Sequence, residues 1–404
     1  MERPYARITV TAKGERALRG GHPWVYEAEV TDVAGAPENG GIADVFTQKG
    51  RWLGSGFYNA NSKIRVRCFS RNANDRFDES FWRRALRYAV DYRRAVLSED
   101  DFRCCRLIFG EADRFPGLTV DRFENVLVTE TLSLGMERIK SMLFPALVEI
   151  LREDGAEIDA VYERNDSALR EKEGMARGSG FFLGSGDGHT EICENGVFYD
   201  VDYINGQKTG FFLDQKFNRR AIRLLSRGRR VLDCFTHTGA FGLNAAAGGA
   251  AHVTSVDVSA DALSQARRNA ERNGLSDRID FVCADVFDLL TEMAAKGGKC
   301  DYDFIILDPP AFTKSGATVK NAFRGYKEIN LKAMKLLPRG GFLATCSCSP
   351  FMTDTLFRDM LRQAAADAAV ELRQVEARQQ GPDHSILWNV PETDYLKFYI
   401  FQVV

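Results

Sequence analysis

Apolar and polar positions change rhythm three times along the chain. Over residues 1–72 the apolar residues cluster in short runs at Ile8–Val10, Trp24–Val30, Ile42–Thr47, Trp52–Phe57 and Ile64–Phe69. Turn chemistry separates them: Gly20-Gly21-His22-Pro23, Asn39-Gly40-Gly41 and Tyr58-Asn59-Ala60-Asn61. Short strands joined by such turns predict a small β-barrel. From Glu79 to Leu97 the period becomes helical, with Phe81, Trp82, Leu86, Ala89 and Val90 on one side and arginines elsewhere.

Residues 73–188 continue as a small α+β domain. Strands are predicted at Cys105–Phe109, Leu118–Arg122, Asn125–Thr131 and Ala160–Arg164, with a helix at Met136–Glu153. The glycines between Gly174 and Gly188 mark a linker, and Asn195-Gly196 within Glu191–Tyr203 marks a tight hairpin. From Arg229 onward short buried-type strands alternate with amphipathic helices. The strands are Val231–Phe235, Val253–Val258, Ile279–Ala284, Phe304–Leu307 and Phe342–Thr345, and Ala260–Asn273 is a representative helix. Repeated strand–helix units predict an α/β domain over residues 189–404 built on a doubly wound parallel sheet. Such a sheet binds ligands at the carboxyl ends of its strands.

Composition narrows the class. The 404 residues are 45% hydrophobic and 27% charged with only 11 prolines, which excludes wholesale disorder and allows two or three domains. No apolar run approaches the ~18–20 residues of a membrane span. Met1-Glu2-Arg3-Pro4-Tyr5 lacks the apolar core of a secretory signal, so a cytoplasmic location is expected. Nine cysteines are scattered without a Cys-x-x-Cys pair and only five histidines are present, so neither a disulfide framework nor a metal site is expected.

Net charge is −2, but its distribution is uneven. Lys63–Arg94 holds ten basic and four acidic residues, and Lys216–Arg230 holds seven basic residues and no acid. Two basic concentrations in a neutral chain point toward a polyanion partner, against the alternative of solvated helix faces.

The chemistry-bearing residues gather at predicted strand ends. Asp233-Cys234-Phe235 runs into Thr238-Gly239-Ala240-Phe241, where Gly239 would let the backbone approach an adenosine-type ligand. A single glycine is no pyrophosphate cradle, which disfavours a nicotinamide oxidoreductase. Asp257, followed by Val258, ends the second strand, where an acid can pair with ribose hydroxyls. Asp285 and Val286 follow the third and would meet an adenine amine and ring face. One such acid is more often a helix cap; three at successive strand ends favour a nucleoside cofactor. Asp308-Pro309-Pro310-Ala311-Phe312 forms a rigid polar corner after the fourth strand, with Phe312 available to stack on a base. After the fifth come Cys346-Ser347-Cys348-Ser349-Pro350, where a thiolate would meet both cofactor and substrate.

These motifs together resemble a class I S-adenosylmethionine methyltransferase with a Rossmann-like sheet. More narrowly, the chain is similar to the bacterial large-subunit rRNA cytosine-C5 methyltransferases of the RlmI type. Gly21-His22-Pro23-Trp24-Val25-Tyr26 resembles the opening of that family's PUA domain. Phe115-Pro116-Gly117-Leu118, Asp121-Arg122, Arg164-Asn165-Asp166 and Lys172-Glu173-Gly174 resemble its central domain. Gly206–Gln215, with Phe212 and Asp214, resembles the segment over the cofactor.

The resemblance implies S-adenosylmethionine as cofactor, held by Phe212, Asp214, Asp233, Phe235, Thr238, Gly239, Asp257, Val258, Asp285, Val286, Asp308 and Pro309. It implies large-subunit ribosomal RNA as partner and a homodimer as oligomeric state. Cys348 would add to cytosine C6 and Asp308 would hold the N3/N4 edge. Related enzymes carry a helper cysteine after the fourth-strand proline, where this chain has Ala311, so the base that removes the C5 proton is unassigned. Cys346 is either a substitute for that helper or a bystander, and His384, in a late loop, is either near the cleft or a satisfied loop histidine. Lys63, Arg65 and Arg67 would hold RNA phosphates, and Phe312 a flipped base. The alternatives are a methyltransferase acting on guanine N7 or an exocyclic amine, which needs no thiol, and a non-catalytic RNA-binding protein.

Overall fold

A computed structural model describes residues 3–296 and 300–404. It divides into two compact units: Met1–Ile192 with Val201–Leu213 and Pro382–Thr393, and Cys193–Asp200 with Asp214–Gly381 and Asp394–Val404.

In the first unit, β1 (Ala6–Val10), α1 (Ala12–Arg19), β2 (Trp24–Tyr26), β3 (Val30–Ala34), β4 (Ile42–Thr47), β5 (Trp52–Tyr58) and β6 (Ile64–Ser70) follow in order. The strands form one sheet ordered β2-β6-β5-β4-β1-β3 around a core of Ile8, Val10, Val25, Val45 and Val66. The expected strand Trp24–Val30 is two strands, because a single 3-10 turn at Glu27–Glu29 redirects the chain between β2 and β3. Helix α1 was not legible as apolar periodicity; it is started by the Thr11 side chain accepting from Gly14 N.

The chain continues through α2 (Glu79–Val96), α3 (Glu99–Phe102), β7 (Cys104–Phe109), β8 (Leu118–Phe123), β9 (Val126–Thr131), α4 (Leu134–Glu153), β10 (Ala160–Asn165), α5 (Leu169–Lys172) and β11 (Gly178–Leu183). These strands form a second sheet, β11-β10-β9-β8-β7. Phe57 and Phe69 of the first sheet share one core with Trp82, Leu86, Phe115 and Leu147, so the first sheet and the α+β segment are packed into each other. The glycine-rich stretch expected as a linker is corrected here. Residues 178–183 are an edge strand paired antiparallel with β10, Asn165 facing Gly178 and Tyr162 facing Phe181. Backbone hydrogen bonding needs no side chains, and a Cβ on Gly178 or Gly180 would meet nothing within 4 Å.

A hairpin follows, β12 (His189–Glu194) and β13 (Val197–Asp202), turning on Asn195 and Gly196 at φ 56° and 73°. Paired positive φ values are the conformation an Asn-Gly turn provides.

The second unit runs α6 (Lys216–Leu225), β14 (Arg230–Cys234), α7 (Ala240–Ala247), β15 (His252–Asp257), α8 (Ala260–Arg272), β16 (Ile279–Cys283), α9 (Val286–Ala295), β17 (Phe304–Leu307), α10 (Val319–Leu336), β18 (Phe342–Ser347), α11 (Asp354–Ala368), β19 (Leu372–Arg378) and β20 (Lys397–Val403). The sheet order is β16-β15-β14-β17-β18-β20-β19. The first five strands are parallel, and β20 inserts antiparallel between β18 and β19. Strand order reverses beside β14, so the crevice opens past the carboxyl ends of β14 and β17. Both faces of the central strands are covered, which explains why Phe304–Leu307 is entirely buried. The last two strands lay beyond the five read from the sequence, although Phe398-Tyr399-Ile400-Phe401 is an apolar run of strand length.

Among the described residues no helix is long and apolar enough to cross a membrane, and no group of three or more His, Cys, Asp or Glu could hold a metal ion.

Candidate active site

The turn after β14 is built under backbone constraint. Phe235, His237 and Gly239 all take positive φ, at 63°, 50° and 87°. For two non-glycine residues this conformation is strained and must be held by its surroundings. Asp233 holds it: its Oδ2 accepts from Thr236 Oγ1 and from Gly242 N at 2.8 Å. Asp257 Oδ2 holds the far side by accepting from His237 N at 2.8 Å, and its Oδ1 accepts from Ser259 N at 2.9 Å. Gly239 was expected to clear room for a ligand. The structure gives another reason: a Cβ there would sit 3.0 Å from Ala266 Cβ, so the glycine lets α8 pack against the turn.

Asp233 is fully buried, and its Oδ1 has no hydrogen-bond partner among the described residues. Burial, opposed by the Thr236 hydrogen bond, pushes its carboxyl up to about 7. Asp285 is exposed and caps α9, accepting from Phe287 N at 2.7 Å and Asp288 N at 3.3 Å. Val286, expected against a ring, is buried in the core with Leu290 and Tyr326, because the first helical residue after that cap turns inward. Val258 is instead 72% exposed beside Asp257. Half-buried Thr238 belongs to the same turn.

Asp308 and Cys346 sit side by side because Leu307 and Thr345 are register partners in parallel strands β17 and β18, and each chain steps forward one residue. The Cys346 thiol donates to Asp308 Oδ1 at 2.8 Å, and Gln215 Nε2 donates to the same oxygen at 3.2 Å. Asn218 Nδ2 fixes the amide by donating to Gln215 Oε1 at 2.6 Å. Burial, opposed by the Cys346 hydrogen bond, raises the Asp308 carboxyl to about 6. Asp214, just before, accepts from Tyr395 Oη at 2.7 Å.

Pro309 is buried and Phe312 half-buried, with the Phe312 ring 4.5 Å from that of Tyr326 and 5.7 Å from that of Phe287. Tyr326 Oη accepts from Ser347 Oγ at 2.9 Å, and Ser349 Oγ donates to Thr313 O at 2.9 Å. The Asp308–Phe312 corner and the Ser347–Ser349 segment are therefore bound together, with half-buried Cys348 between the two serines.

Lys397 and Gln215 carry parts of this site that sequence reasoning missed. Lys397 faces Ser347 in the β18–β20 register and is 6% exposed. Its ammonium donates to Ser349 O at 2.6 Å and Tyr395 O at 2.8 Å, and among the described residues it joins no salt bridge. Burial pulls it down to about 8, against the opposing pull of Cys348. A lysine opening a late apolar strand was the available signal.

Other expected residues lie in the first unit. Phe212 carries the Lys208 ammonium 5.5 Å from its ring centroid. His384 is buried, with its Nδ1 3.1 Å from Asp383 Oδ1 and its ring 5.6 Å from that of Phe109. The basic stretch is largely neutralised. Arg65 pairs with Glu27, Arg67 bridges Glu111 and Glu173, and Arg83, Arg87, Arg93 and Arg94 all meet carboxylates. Lys63 remains exposed. In the second unit Arg219 is buried on Glu194 at 2.5 and 2.7 Å and Lys216 is buried, whereas Arg227 and Arg230 of that run are exposed.

A nucleoside cofactor fits these strand ends. Asp257 closes β15, exposed Val258 beside it offers an apolar surface, and the orphaned Asp233 oxygen lies under the strained turn. This is the layout of a Rossmann-like enzyme with its ligand at the switch point. Residues 176–398 match S-adenosylmethionine-dependent methyltransferases, and residues 8–71 match a PUA-like domain. The chain is 39% identical to ribosomal RNA large subunit methyltransferase I of Pseudoalteromonas translucida, over 98% of this chain and 99% of that one. It is 40% identical to the protein of the same name from Aeromonas hydrophila, over 97% and 98%. A solved structure described as a SAM-dependent methyltransferase from Streptococcus mutans superposes with a TM-score of 0.82 at 21% identity, over 98% and 100% of the two chains, which shows the shared fold. The chain is an S-adenosylmethionine-dependent methyltransferase. It belongs to the ribosomal RNA large subunit methyltransferase I family.

Proposed function

We propose that this enzyme methylates C5 of a cytosine in large-subunit ribosomal RNA, in the cytoplasm, through a Cys348 adduct at C6. The observation that carries the reading is the pairing of strand ends: Cys348 follows β18, Asp308 follows β17, and the Lys397 ammonium reaches the carbonyl next to Cys348. Guanine N7 or amine methylation would leave a thiol with a cation beside it unexplained.

Cytosine C5 is a weak nucleophile. Addition of the Cys348 thiolate to C6, with N3 taking a proton from Asp308, makes C5 enamine-like. Bound S-adenosylmethionine supplies the methyl group that C5 takes. Loss of the C5 proton then re-forms the C5–C6 double bond and expels the thiolate. Lys397 favours the thiolate in both the attacking and leaving forms. Asp233 and Asp257 hold the turn that would carry the cofactor. Val258 would offer it an apolar surface and Asp257 a carboxylate for its hydroxyls, and Thr238, Phe235, Asp285 and Pro309 would complete its surroundings. Asp214, ahead of α6, would belong to the same set. The PUA-like domain would hold RNA with Lys63 as its leading cation, while Arg65 and Arg67 share their charge with glutamates. Phe312, with Tyr326 against its ring, would support the flipped base.

Incubating ribosomal RNA with enzyme and labelled S-adenosylmethionine tests this. Labelled 5-methylcytosine from wild type and none from Cys348→Ala is the expected result. Label on another base, undiminished in the variant, would overturn it.

A further inference from the structure

We propose that Cys346 is a positioning residue for Asp308: its thiol, with the Gln215 amide, holds Oδ1 of the carboxyl, so that Oδ2 alone meets N3 of the target cytosine and carries the proton delivered there. The inference rests on the cytosine-C5 reading and assigns a role to a cysteine whose sequence context leaves its role open.

The geometry carries the argument. Cys346 is fully buried and is the register neighbour of Asp308 across β17–β18. A thiol is a weak donor, and this one lies 2.8 Å from the carboxylate oxygen, nearer than its other acceptor, Leu307 O at 3.6 Å. Gln215 donates to that oxygen at 3.2 Å and to Cys346 Sγ at 3.5 Å, closing a three-membered network. Oδ2 accepts nothing from any described residue, and Asp308 keeps some exposure. An oxygen already receiving two donors cannot also carry a proton toward them, so a protonated Asp308 bears its hydrogen on Oδ2. Around it stand Asp214 ahead of α6, Arg219 on α6, Asp233 ending β14 and Cys346 itself. Burial raises Asp308 to about 6, which keeps part of it protonated near neutrality.

As Sγ of Cys348 bonds to C6, the ring electrons move to N3, which takes the Oδ2 proton and leaves a carboxylate. After C5 accepts its substituent and loses its proton to a base, the C5–C6 double bond returns, Sγ leaves, and the N3 proton goes back to Asp308. Without cofactor, C5 can take a proton from water instead, so cytosine carrying tritium at C5 should lose it to solvent by the same path.

Tritium release from C5-labelled ribosomal RNA, measured against pH with no cofactor present, is the test. The variants are Cys346→Ala, which has no donor, and Cys346→Ser, which retains one. The alanine enzyme should have a plateau lower by roughly tenfold with unchanged RNA KM. Its alkaline limb should move to higher pH, because a carboxylate that loses a hydrogen bond holds its proton more tightly. Serine should restore both. Should the alanine variant fail to bind S-adenosylmethionine in a calorimeter, Cys346→Val, which fills the space without a donor, takes its place. A donorless variant matching wild type in plateau and limb overturns the proposal while leaving the cytosine reading intact. Wild type that releases no tritium but labels RNA elsewhere overturns the reading, and the proposal with it.

Discussion

Lys397 Nζ lies 2.6 Å from the carbonyl oxygen of Ser349, one residue past Cys348, and is nearly removed from water. An ammonium in that position lowers the work of forming a thiolate. Lys397→Met should slow alkylation of Cys348 by iodoacetamide about tenfold near neutrality, with the rate recovering at higher pH. Peptide mapping resolves Cys348 from exposed Cys283. Equal rates in both proteins would remove the lysine from the account.

Asp233 and Asp308 make stability depend on pH. Their native values, about 7 and about 6, lie above the ordinary carboxylate value, so between roughly pH 4 and 7 the native state holds protons that the unfolded chain has released. Their contribution therefore falls as pH rises through that window. Urea midpoints measured across it should decline, and Asp233→Asn should flatten the decline. An unchanged slope in that variant would count against the buried carboxyl.

Gly242 opens the first turns of α7 against Asp233. A Cβ there would lie 2.3 Å from Ser255 Oγ and 2.9 Å from Asp233 Oδ2. Gly242→Ala should lower stability by about 1–3 kcal/mol and weaken S-adenosylmethionine binding, as read by thermal melting and calorimetry.

The buried pair of Arg219 and Glu194 joins α6 to the hairpin. Arg219→Ala leaves an uncompensated carboxylate and should lose about 3–5 kcal/mol in chemical denaturation. A mild effect would mean that water or rearrangement reaches Glu194.

RNA binding distinguishes Lys63 from its neighbours. Lys63→Ala should weaken binding uniformly and reduce the salt slope by about 0.9 if it neutralises one phosphate. Arg67→Ala should mainly lower the melting temperature, since it strips Glu111 and Glu173 of their shared partner. Loss of salt slope on Arg67 substitution without loss of stability would reverse that division.

Much of this enzyme is written in local order. Apolar periodicity marks the strands from Val231 to Thr345, and acids at their ends mark the crevice, because strand length and side-chain alternation are properties of short segments. Asn195-Gly196 specifies its own turn for the same reason. What the tertiary structure decided is pairing across distance. Arg67 reads as a free cation until Glu111 and Glu173, 44 and 106 residues away, are brought to it. The glycine-rich stretch becomes a strand because β10 offers it an edge. Cys346 meets Asp308, 38 residues earlier, through parallel register, and Lys397 reaches the Cys348 segment because β20 inserts antiparallel beside β18. Charge neutralisation and hydrogen bonding act through space over a few ångströms, so their partners are set by how the sheets assemble and not by spacing along the chain.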